Sequence, residues 1–401
     1  MWSLFVSCPF GVEELLASEL RPMCSQPVQV ARGGVRLRGD WSLVGGVNLH
    51  SRLAQRVLLQ LAHGPYGTEQ DVYDLAHAVD WEQWFGVQQT FRVDVTAHRS
   101  HLQSLNFAGL RVKDAVADRF RQRAGVRPSV DTRAPAVRIA AHLDAGHATL
   151  YVDTSGDPLF KRGWRQSTGD APLKETLAAA MLAATDWDAH GDVPLYDPCC
   201  GSGTIAIEAA AMRLGLAPGL RRRFAFEALK PHDRGVWQAL CAEAQDAASD
   251  QAKRVTGVSV FASDVSHRMA DFAQANARRA VVGQVLWVRA GDALQRMPPS
   301  TQPGVLLLNP PYGTRVQTAG VAGSTAVDPD FFTQLGRHWK NHYAGWTAWV
   351  LSPDRGLPGQ LRMRESRRIP LFNGDIECRF WRFDLSAWKA SDAQPSPAGP
   401  T

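Results

Sequence analysis

Apolar and polar positions in the first 155 residues follow the two periods that distinguish strands from helices. Alternation with a period of two predicts strands over 3–8, 33–40 (with a turn) and 90–97, and a hairpin over 137–155 that turns near 144–146. Apolar positions at helical spacing predict helices over 11–20, 43–62 and 107–125, the last closed by Gly125. This half is therefore expected to contain small mixed α/β units.

From about residue 165 the pattern becomes a regular alternation of buried strands and amphipathic helices. A helix is predicted over 170–185, with Asp170 as its N-cap and Pro172 in its first turn. The remaining predicted elements are a strand, glycine turn and helix over 194–212, strands over 258–266, 285–293, 304–309 and 346–354, a helix over 269–281, and a hairpin over 367–383 around an Asn-Gly turn. Such alternation predicts a doubly wound, mostly parallel sheet, which binds ligands at the carboxyl ends of its strands.

Composition narrows the class of protein. The chain has 401 residues, 45% of them hydrophobic, and no apolar run long enough to cross a membrane. The start, MWSLFVSCPF, lacks the basic region of a signal peptide, and the six cysteines form no CxxC pair. We expect a cytoplasmic protein with reduced thiols, no metal site and no membrane association.

Positive charge is concentrated in two places. The formal net charge is +5, and residues 111–127 carry six basic and two acidic side chains. The segment KRGWR (161–165) adds three basic residues around a tryptophan. Such runs are often only solvated surface, but arginine beside an aromatic ring also suits a nucleic-acid groove. The candidate RNA contacts are Arg111, Lys113, Arg119, Arg123, Lys161, Arg162 and Arg165.

A glycine turn between strand and helix, DPCCGSG (197–203), predicts a cofactor loop. Its glycines also fit a dinucleotide fingerprint, but Asp197 would repel a pyrophosphate and would attract an ammonium group. The loop therefore favours S-adenosylmethionine, with Asp264 suited to ribose hydroxyls and Asp292 to the adenine amino group. The predicted cofactor contacts are Asp197, Gly201, Gly203, Thr204, Asp264 and Asp292. Cys199 and Cys200 are interpreted as packing residues.

The strand VLLL ends in Asn-Pro-Pro-Tyr-Gly at 309–313. Consecutive prolines fix the backbone and remove N–H donors, which leaves a stiff row of carbonyl acceptors between an amide and an aromatic ring. An isolated Asn-Pro at a strand end is usually only a turn. The complete string favours a functional role for Asn309, Pro310, Pro311 and Tyr312.

Together, DPCCGSGTIAIEAA and NPPYG resemble the family of RNA methyltransferases that carry a THUMP domain. MWSLFVSCPFGVEELLASEL, GGVRLRGD and KRGWRQSTGDAPLKETLAAAML extend the likeness to the bacterial guanine-N2 methyltransferases of large-subunit (23S) rRNA. The resemblance runs from residue 1 to about 385. It implies a Rossmann-like class I methyltransferase domain with a mostly parallel seven-stranded sheet, preceded by ferredoxin-like and THUMP α/β domains.

The expected boundaries are a ferredoxin-like segment over 1–42, a THUMP RNA-binding domain over 43–155, a methyltransferase domain over 156–387 and a disordered tail over 388–401. Some bacterial relatives continue into a second methyltransferase that makes N7-methylguanine, and no N7 activity is expected here. Residues 213–257 resemble an insertion of the family, which explains why Asp264 lies so far beyond the glycines.

The resemblance implies that Asn309 to Tyr312 form the catalytic tetrapeptide. The Asn309 side-chain oxygen and the Pro310 carbonyl would accept the two N–H bonds of an exocyclic amine, and Tyr312 would stack on a flipped guanine. The expected substrate is 23S rRNA before subunit assembly is complete, without an obligatory protein partner. The alternatives are a tRNA guanine-N2 methyltransferase, an adenine-N6 methyltransferase and a non-catalytic RNA-binding assembly factor, with an NAD-dependent oxidoreductase the weakest.

Overall fold

A computed structural model describes residues 1–166, 172–185, 187–310 and 330–386. The chain forms two compact units. The first, here the N-terminal unit, consists of residues 1–163 and 215–252, and the second, the C-terminal unit, takes in the described parts of 164–214 and 253–386. The predicted domain boundary at 155/156 lies close to residue 163, where the first segment of the N-terminal unit ends. The predicted domains do not anticipate that residues 215–252 pack within the N-terminal unit.

One continuous seven-stranded sheet organises the N-terminal unit, in the order β2-β3-β1-β4-β7-β6-β5. Its strands are β1 (Trp2–Ser7), β2 (Gln29–Ala31), β3 (Gly34–Gly39), β4 (Arg56–Pro65), β5 (Phe91–His98), β6 (Val137–Asp144) and β7 (His147–Asp153). Neighbouring strands are antiparallel except β5 and β6, which are parallel. Because β4 pairs with both β1 and β7, the sheet runs without a break across the predicted boundary at 42/43.

The helices of this unit are α1 (Glu13–Leu20), α2 (Trp41–His50), α3 (Glu69–His77), α4 (Leu105–Ala124) and α7 (Arg234–Arg254, which ends two residues beyond the unit). The predicted helix over 107–125 is confirmed: the Ser104 side chain caps its first turn, and Gly125 ends it at φ 71°. The predicted helix over 43–62 is wrong beyond residue 50, because 56–65 pair as β4. An apolar run of this kind satisfies either period, and pairing with two strands decides it.

The segment 215–252 is joined to the rest of the N-terminal unit by backbone hydrogen bonds. Gly219 N donates to Leu49 O (2.9 Å), and Phe226 N donates to Thr154 O (2.9 Å). A Cβ on Gly219 would lie only 2.8 Å from Leu49 Cα, so the glycine permits this close approach. Residues 215–252 of the insertion expected over 213–257 are thus an integral part of the N-terminal unit.

A second seven-stranded sheet forms the C-terminal unit, in the order β10-β9-β8-β11-β12-β14-β13. Its strands are β8 (Leu195–Asp197), β9 (Val260–Asp264), β10 (Leu286–Ala290), β11 (Val305–Leu308), β12 (Thr347–Ser352), β13 (Arg367–Asn373) and β14 (Ile376–Asp384). The first five strands are parallel, and β14 runs antiparallel to β12 and β13. The predicted class, a Rossmann-like and mostly parallel seven-stranded sheet preceded by α/β domains, is confirmed.

The helices of the C-terminal unit are α5 (Glu175–Ala183), α6 (Thr204–Arg213), α8 (His267–Ala280), α9 (Phe331–His342) and α10 (Leu357–Leu361). Helix α5 begins at Glu175, so the predicted N-cap role of Asp170 and the first-turn position of Pro172 are wrong; Asp170 itself lies outside the described residues. In the terminal hairpin Asn373 pairs with Ile376, so Gly374 and Asp375 form the turn instead of Asn-Gly.

Within the described ranges, no helix is both long and apolar enough to span a membrane. The tail predicted to be disordered, 388–401, lies outside the described residues.

Candidate active site

The predicted site residues of the C-terminal unit come together at the carboxyl ends of four neighbouring strands. Parallel register places Tyr196 beside Leu306, Asp197 beside Ala262 and Asp264 beside Ala290. Asp197 and Asp264 are the last residues of β8 and β9. Asn309 follows β11 directly, and Asp292 lies two residues beyond the end of β10. Strand order reverses between β8 and β11, which is the position where doubly wound sheets bind ligands.

Asp197 is a buried carboxylate with little compensation. Its side chain is 1% exposed, and Oδ1 accepts one hydrogen bond, from Cys199 N (3.2 Å). Burial raises its pKa well above the usual range of a carboxyl group, and the nearby charge of Asp264 raises the pKa further. A cation placed here would relieve both effects.

The glycine loop supplies space and free backbone groups. Gly201 has φ 53°, and a Cβ built on it would meet no atom within 4 Å. Gly203 has φ 89° and lies against α8, where a Cβ would be 3.0 Å from the Ala273 Cβ. As the N-cap of α6, Gly203 has no side chain to accept from the first N–H groups of the helix, so these remain available to a ligand.

The Arg165 side chain supports this loop through hydrogen bonds. It donates from Nη1 to Ser202 Oγ (2.9 Å), from Nη2 to Thr204 Oγ1 (2.7 Å) and from Nε to Glu175 Oε1 (2.7 Å). The side chains of Arg165 and Glu175 are 14% and 4% exposed, so the ion pair is largely buried. Arg165, predicted as an RNA contact, is placed as a support of the loop, and the Thr204 hydroxyl already accepts from it.

Helix α8 supplies a second support that sequence reasoning missed. The fully buried Asn276 donates from Nδ2 to Ser202 O (3.0 Å), and Arg279 Nη2 donates to Asn276 Oδ1. A buried asparagine in mid-helix needs partners. That requirement is the signal that could have identified it, but the sequence does not show which turn of the helix is buried.

Asp264 is held by the loop itself. Oδ2 accepts from Gly201 N (2.9 Å), and Oδ1 accepts from Ser266 N (2.9 Å). Burial raises its pKa, which these two hydrogen bonds lower in part. Asp292 Oδ1 accepts from Leu294 N (2.9 Å). Both carboxylates are oriented by backbone groups and keep further lone pairs for ligand hydroxyl or amino groups.

Of the two cysteines of the loop, Cys200 is buried and Cys199 is partly buried. Burial raises the pKa of Cys199 and Cys200 well above the usual range, and the charge of Asp197 raises both further. A thiol that stays protonated is a poor nucleophile, which agrees with the interpretation as packing residues.

Asn309 follows β11 with an unusual environment. Its Oδ1 is buried and accepts no hydrogen bond from the residues that the structure describes. Pro310 is buried, and Pro311 and Tyr312 lie outside the described residues. An unsatisfied buried acceptor costs about 1–3 kcal/mol. Asn309 Oδ1 is therefore suited to accept a hydrogen bond from a ligand.

These features fit the predicted cofactor. Asp197 offers a buried carboxylate for an ammonium group, Gly201 leaves an opening where a side chain would intrude, and Asp264 and Asp292 offer oriented acceptors. The fit rests on the donor set and on the space at Gly201. In the described ranges, no cluster of side chains could hold a metal ion.

The remaining predicted RNA contacts lie in the N-terminal unit and differ in availability. Arg119 is buried and pairs with Asp80 and Glu82, and Arg162 is buried and donates to Leu159 O (2.8 Å). Both therefore support the fold. Those that reach the surface are Arg111, Lys113, Arg123 and Lys161, each beside an acidic or aromatic neighbour.

Family models match the chain over three stretches. The description "RMKL-like, methyltransferase domain" matches residues 162–382, more than half of the chain. The chain belongs to the RMKL-like methyltransferase family. Models for a THUMP domain and for a ferredoxin-like domain match residues 66–153 and 3–58. The predicted relationship to THUMP-domain rRNA methyltransferases is confirmed.

Curated relatives match all or nearly all of this chain. Proteins named "Ribosomal RNA large subunit methyltransferase K/L" are 37% identical in Psychromonas ingrahamii, covering 100% of this chain and 52% of the relative, and 36% identical in Aeromonas salmonicida, covering 96% and 54%. The chain therefore spans about half the length of the curated relatives it matches.

Solved structures agree in fold. The crystal structure of SMU.472 complexed with SAH has a TM-score of 0.83 at 26% identity, covering 97% of this chain and 99% of that one. A predicted N6-adenine-specific DNA methylase from Listeria monocytogenes has a TM-score of 0.82 at 26% identity, covering 95% and 96%. The predicted class, a methyltransferase that uses S-adenosylmethionine, is confirmed by the family and by the neighbour that holds the demethylated cofactor.

Proposed function

We propose that this protein forms N2-methylguanosine in large-subunit (23S) rRNA by methyl transfer to the exocyclic amine of a flipped guanine. The observation that carries the proposal is the buried Oδ1 of Asn309, an acceptor without a partner among the described residues, at the strand end next to Asp197. An exocyclic amine supplies the donor that this oxygen lacks.

The residues divide the work by position. Asp197 takes the ammonium group of the cofactor, and Asp264 and Asp292 take its ribose hydroxyls and adenine amino group. Bound S-adenosylmethionine supplies an electrophilic methyl group. Asn309 Oδ1 and the Pro310 carbonyl hold the two N–H bonds of the substrate amine, which fixes the nitrogen and opposes delocalisation of its lone pair into the ring.

The family resemblance assigns Pro311 and Tyr312 to the same site, Tyr312 as the ring that stacks on the flipped base. Support for rRNA comes from the names of the curated relatives and from the THUMP match. We propose that the protein acts in the cytoplasm. It should modify rRNA before subunit assembly is complete, because the base to be flipped must still be accessible.

Adenine-N6 methylation is the second candidate. The acceptors at Asn309 and Pro310 suit any exocyclic amine, and one structural neighbour carries the name of an N6-adenine-specific methylase. A tRNA substrate is a further alternative, because THUMP relatives serve both kinds of RNA.

The test incubates the protein with labelled S-adenosylmethionine and, separately, deproteinised rRNA, intact large subunits and tRNA, followed by nucleoside mass spectrometry. We expect label in N2-methylguanosine from deproteinised large-subunit rRNA and little from intact subunits. Label in N6-methyladenosine would overturn the choice of base, and label confined to tRNA would overturn the choice of substrate.

A further inference from the structure

One face of the N-terminal sheet is lined by side chains that its core does not use. Successive residues of a strand point to opposite faces. Leu4 and Val6 of β1 are buried, whereas Ser3 and Phe5 face the other way and line a cavity. On β3 the same alternation buries Val35 and exposes Arg36 and Arg38 to that cavity.

The sheet curls around this face. Between β3 and β5 lie five strand spacings, which on a flat sheet would separate them by about 24 Å at roughly 4.8 Å each. Yet Arg32, in the turn between β2 and β3, lies with its Nη1 3.0 Å from the Nε2 of His98 on β5. The pKa of His142 on β6, lowered mainly by burial, is lowered further by the charge of Arg36. The face is therefore concave.

The cavity in this concave face has a volume of about 260 Å³. Its lining includes Arg36, Arg38, Phe5, Tyr151, Gln29 and Gln60, and it contains no acidic side chain. Neither guanidinium has a hydrogen-bonded or ion-paired partner in the part of the chain that the structure describes. The rings of Phe5 and Tyr151 lie 6.3 Å apart, and Phe5 is partly exposed whereas Tyr151 is buried.

Carboxylates elsewhere on the curl lie beside basic or histidine side chains. Asp94 pairs with Arg92 (2.5 Å), and Asp144 lies 3.2 Å from His98 Nδ1. The cavity itself is lined by the charged side chains of Arg36 and Arg38 and by no carboxylate, which favours an anionic ligand. Guanidinium groups bind phosphates, aromatic rings stack on bases, and amide side chains read base edges.

We propose that the concave face around Arg36 and Arg38 binds an unpaired segment of the RNA substrate. This inference rests on the proposed function, because it takes the substrate to be RNA. A cavity of this size, just below the range of small-ligand pockets, admits one or two splayed bases and excludes a duplex. The face is distinct from the basic helix α4, whose Arg119 is committed to Asp80 and Glu82.

The test measures binding of the 401-residue chain to a fluorescent single-stranded oligoribonucleotide of about 12 nucleotides, and to the same strand in a duplex, over a range of salt concentrations. The variants are Arg36→Gln/Arg38→Gln, its charge-preserving counterpart Arg36→Lys/Arg38→Lys, and each single Gln substitution. Arg234→Gln/Arg254→Gln removes the same charge from exposed positions at the two ends of α7 and serves as the matched control.

We expect the Gln pair to weaken single-strand binding at least about tenfold and to reduce the slope of log K against log salt by about 1.4, or about 0.7 per phosphate. The Lys pair should keep the slope, each single Gln substitution should lose about half of the change, and the control should bind within about twofold of wild type. Thermal unfolding should be unchanged, because both side chains are exposed.

Binding by the Gln pair equal to that of the control would overturn the inference. If the Gln pair lost the same affinity for the duplex as for the single strand, the face would be a duplex-binding surface, which would also overturn the inference. If polyglutamate competed with RNA for the wild-type protein but not for the Gln pair, the face would be a protein-binding surface, with the same consequence. Failure of the proposed function is read separately: the product assay would then lack N2-methylguanosine while the binding differences persist.

Discussion

At the scale of single residues, the unsatisfied Oδ1 of Asn309 lowers the stability of the protein and is proposed to accept a hydrogen bond from the substrate amine. Its Oδ1 is buried without a partner among the described residues. We expect Asn309→Ala to lower the rate of methyl transfer at least about 100-fold, because the substrate amine loses an acceptor in the transition state. Cofactor affinity, measured by calorimetry, should stay within about twofold of wild type.

Asn309→Asp is the matched control, since a carboxylate keeps an acceptor at the same position. It should retain more activity than Asn309→Ala. Methyl transfer by the alanine variant within about tenfold of wild type, about 1.4 kcal/mol of barrier, would contradict the role of Asn309.

Asp197 gives a prediction that depends on pH. Burial raises its pKa, so without cofactor the folded protein holds a proton that the unfolded chain has released. Stability is therefore lost as the pH rises from the ordinary carboxyl pKa, about 4, towards the raised value. Asp197→Asn should remove this loss. The unfolding midpoint of the variant should therefore rise relative to that of wild type as pH increases from about 5 to about 8.

The same Asp197→Asn variant should bind S-adenosylmethionine at least about tenfold more weakly, because the ammonium group loses its carboxylate. Calorimetric titration measures this. Unchanged affinity would remove Asp197 from the cofactor site, and a midpoint difference independent of pH would contradict the cost of burying the charge.

Sequence reasoning identified the polar residues that follow the strands, because chain order and strand order together place them at one edge of the sheet. It could not identify Asn276, whose role depends on which turn of α8 faces the loop. It also interpreted Arg165 as an RNA contact, because a basic cluster around Trp164 looks the same whether its arginine faces solvent or Glu175.

At the scale of elements, Arg165 connects α5 to the first turn of α6. Breaking its largely buried pair with Glu175 leaves an uncompensated carboxylate, at a cost of roughly 3–5 kcal/mol. We expect Arg165→Met to lower the free energy of unfolding by an amount of this order, and to weaken cofactor binding at least about tenfold because Ser202 and Thr204 lose their common donor.

The double variant Arg165→Met/Glu175→Leu separates the two effects. Removing both charges should restore most of the stability measured by denaturant unfolding, while cofactor affinity stays low. Affinity that recovers together with stability would show that Arg165 supports the fold without positioning the loop.

Elements with one clear period and recognisable ends were predictable, as α4 shows with Ser104 and Gly125. The strand β4 was not, because its apolar run satisfies a helix as well and only its pairing with β1 and β7 decides. Helix α3 was missed although Thr68 and Asp71 form a capping box, a signal that the sequence does contain.

At the scale of the whole molecule, residues 215–252 interrupt the C-terminal unit along the chain and fold with the N-terminal unit. No local pattern shows this, because membership in a unit is set by long-range contacts. Phe224, Phe226 and Leu229 are buried there, and Lys230 N donates to Trp84 O (2.9 Å).

A fragment of residues 160–390 should therefore expose this apolar segment, whereas the same fragment with 215–252 replaced by a short Gly/Ser linker should not. We expect the first to bind a hydrophobic dye and aggregate, and the second to stay monomeric and bind S-adenosylmethionine by calorimetry. Both should methylate rRNA poorly, because the N-terminal unit with its exposed arginines is absent. If the fragment that keeps 215–252 is as soluble as the one without it, the segment does not depend on the N-terminal unit. If either fragment methylates rRNA as fast as the 401-residue chain, that unit does not bind the substrate.

In the 401-residue chain, Gly219→Ala places a Cβ 2.8 Å from Leu49 Cα. The substitution should therefore lower the unfolding midpoint and leave cofactor affinity unchanged.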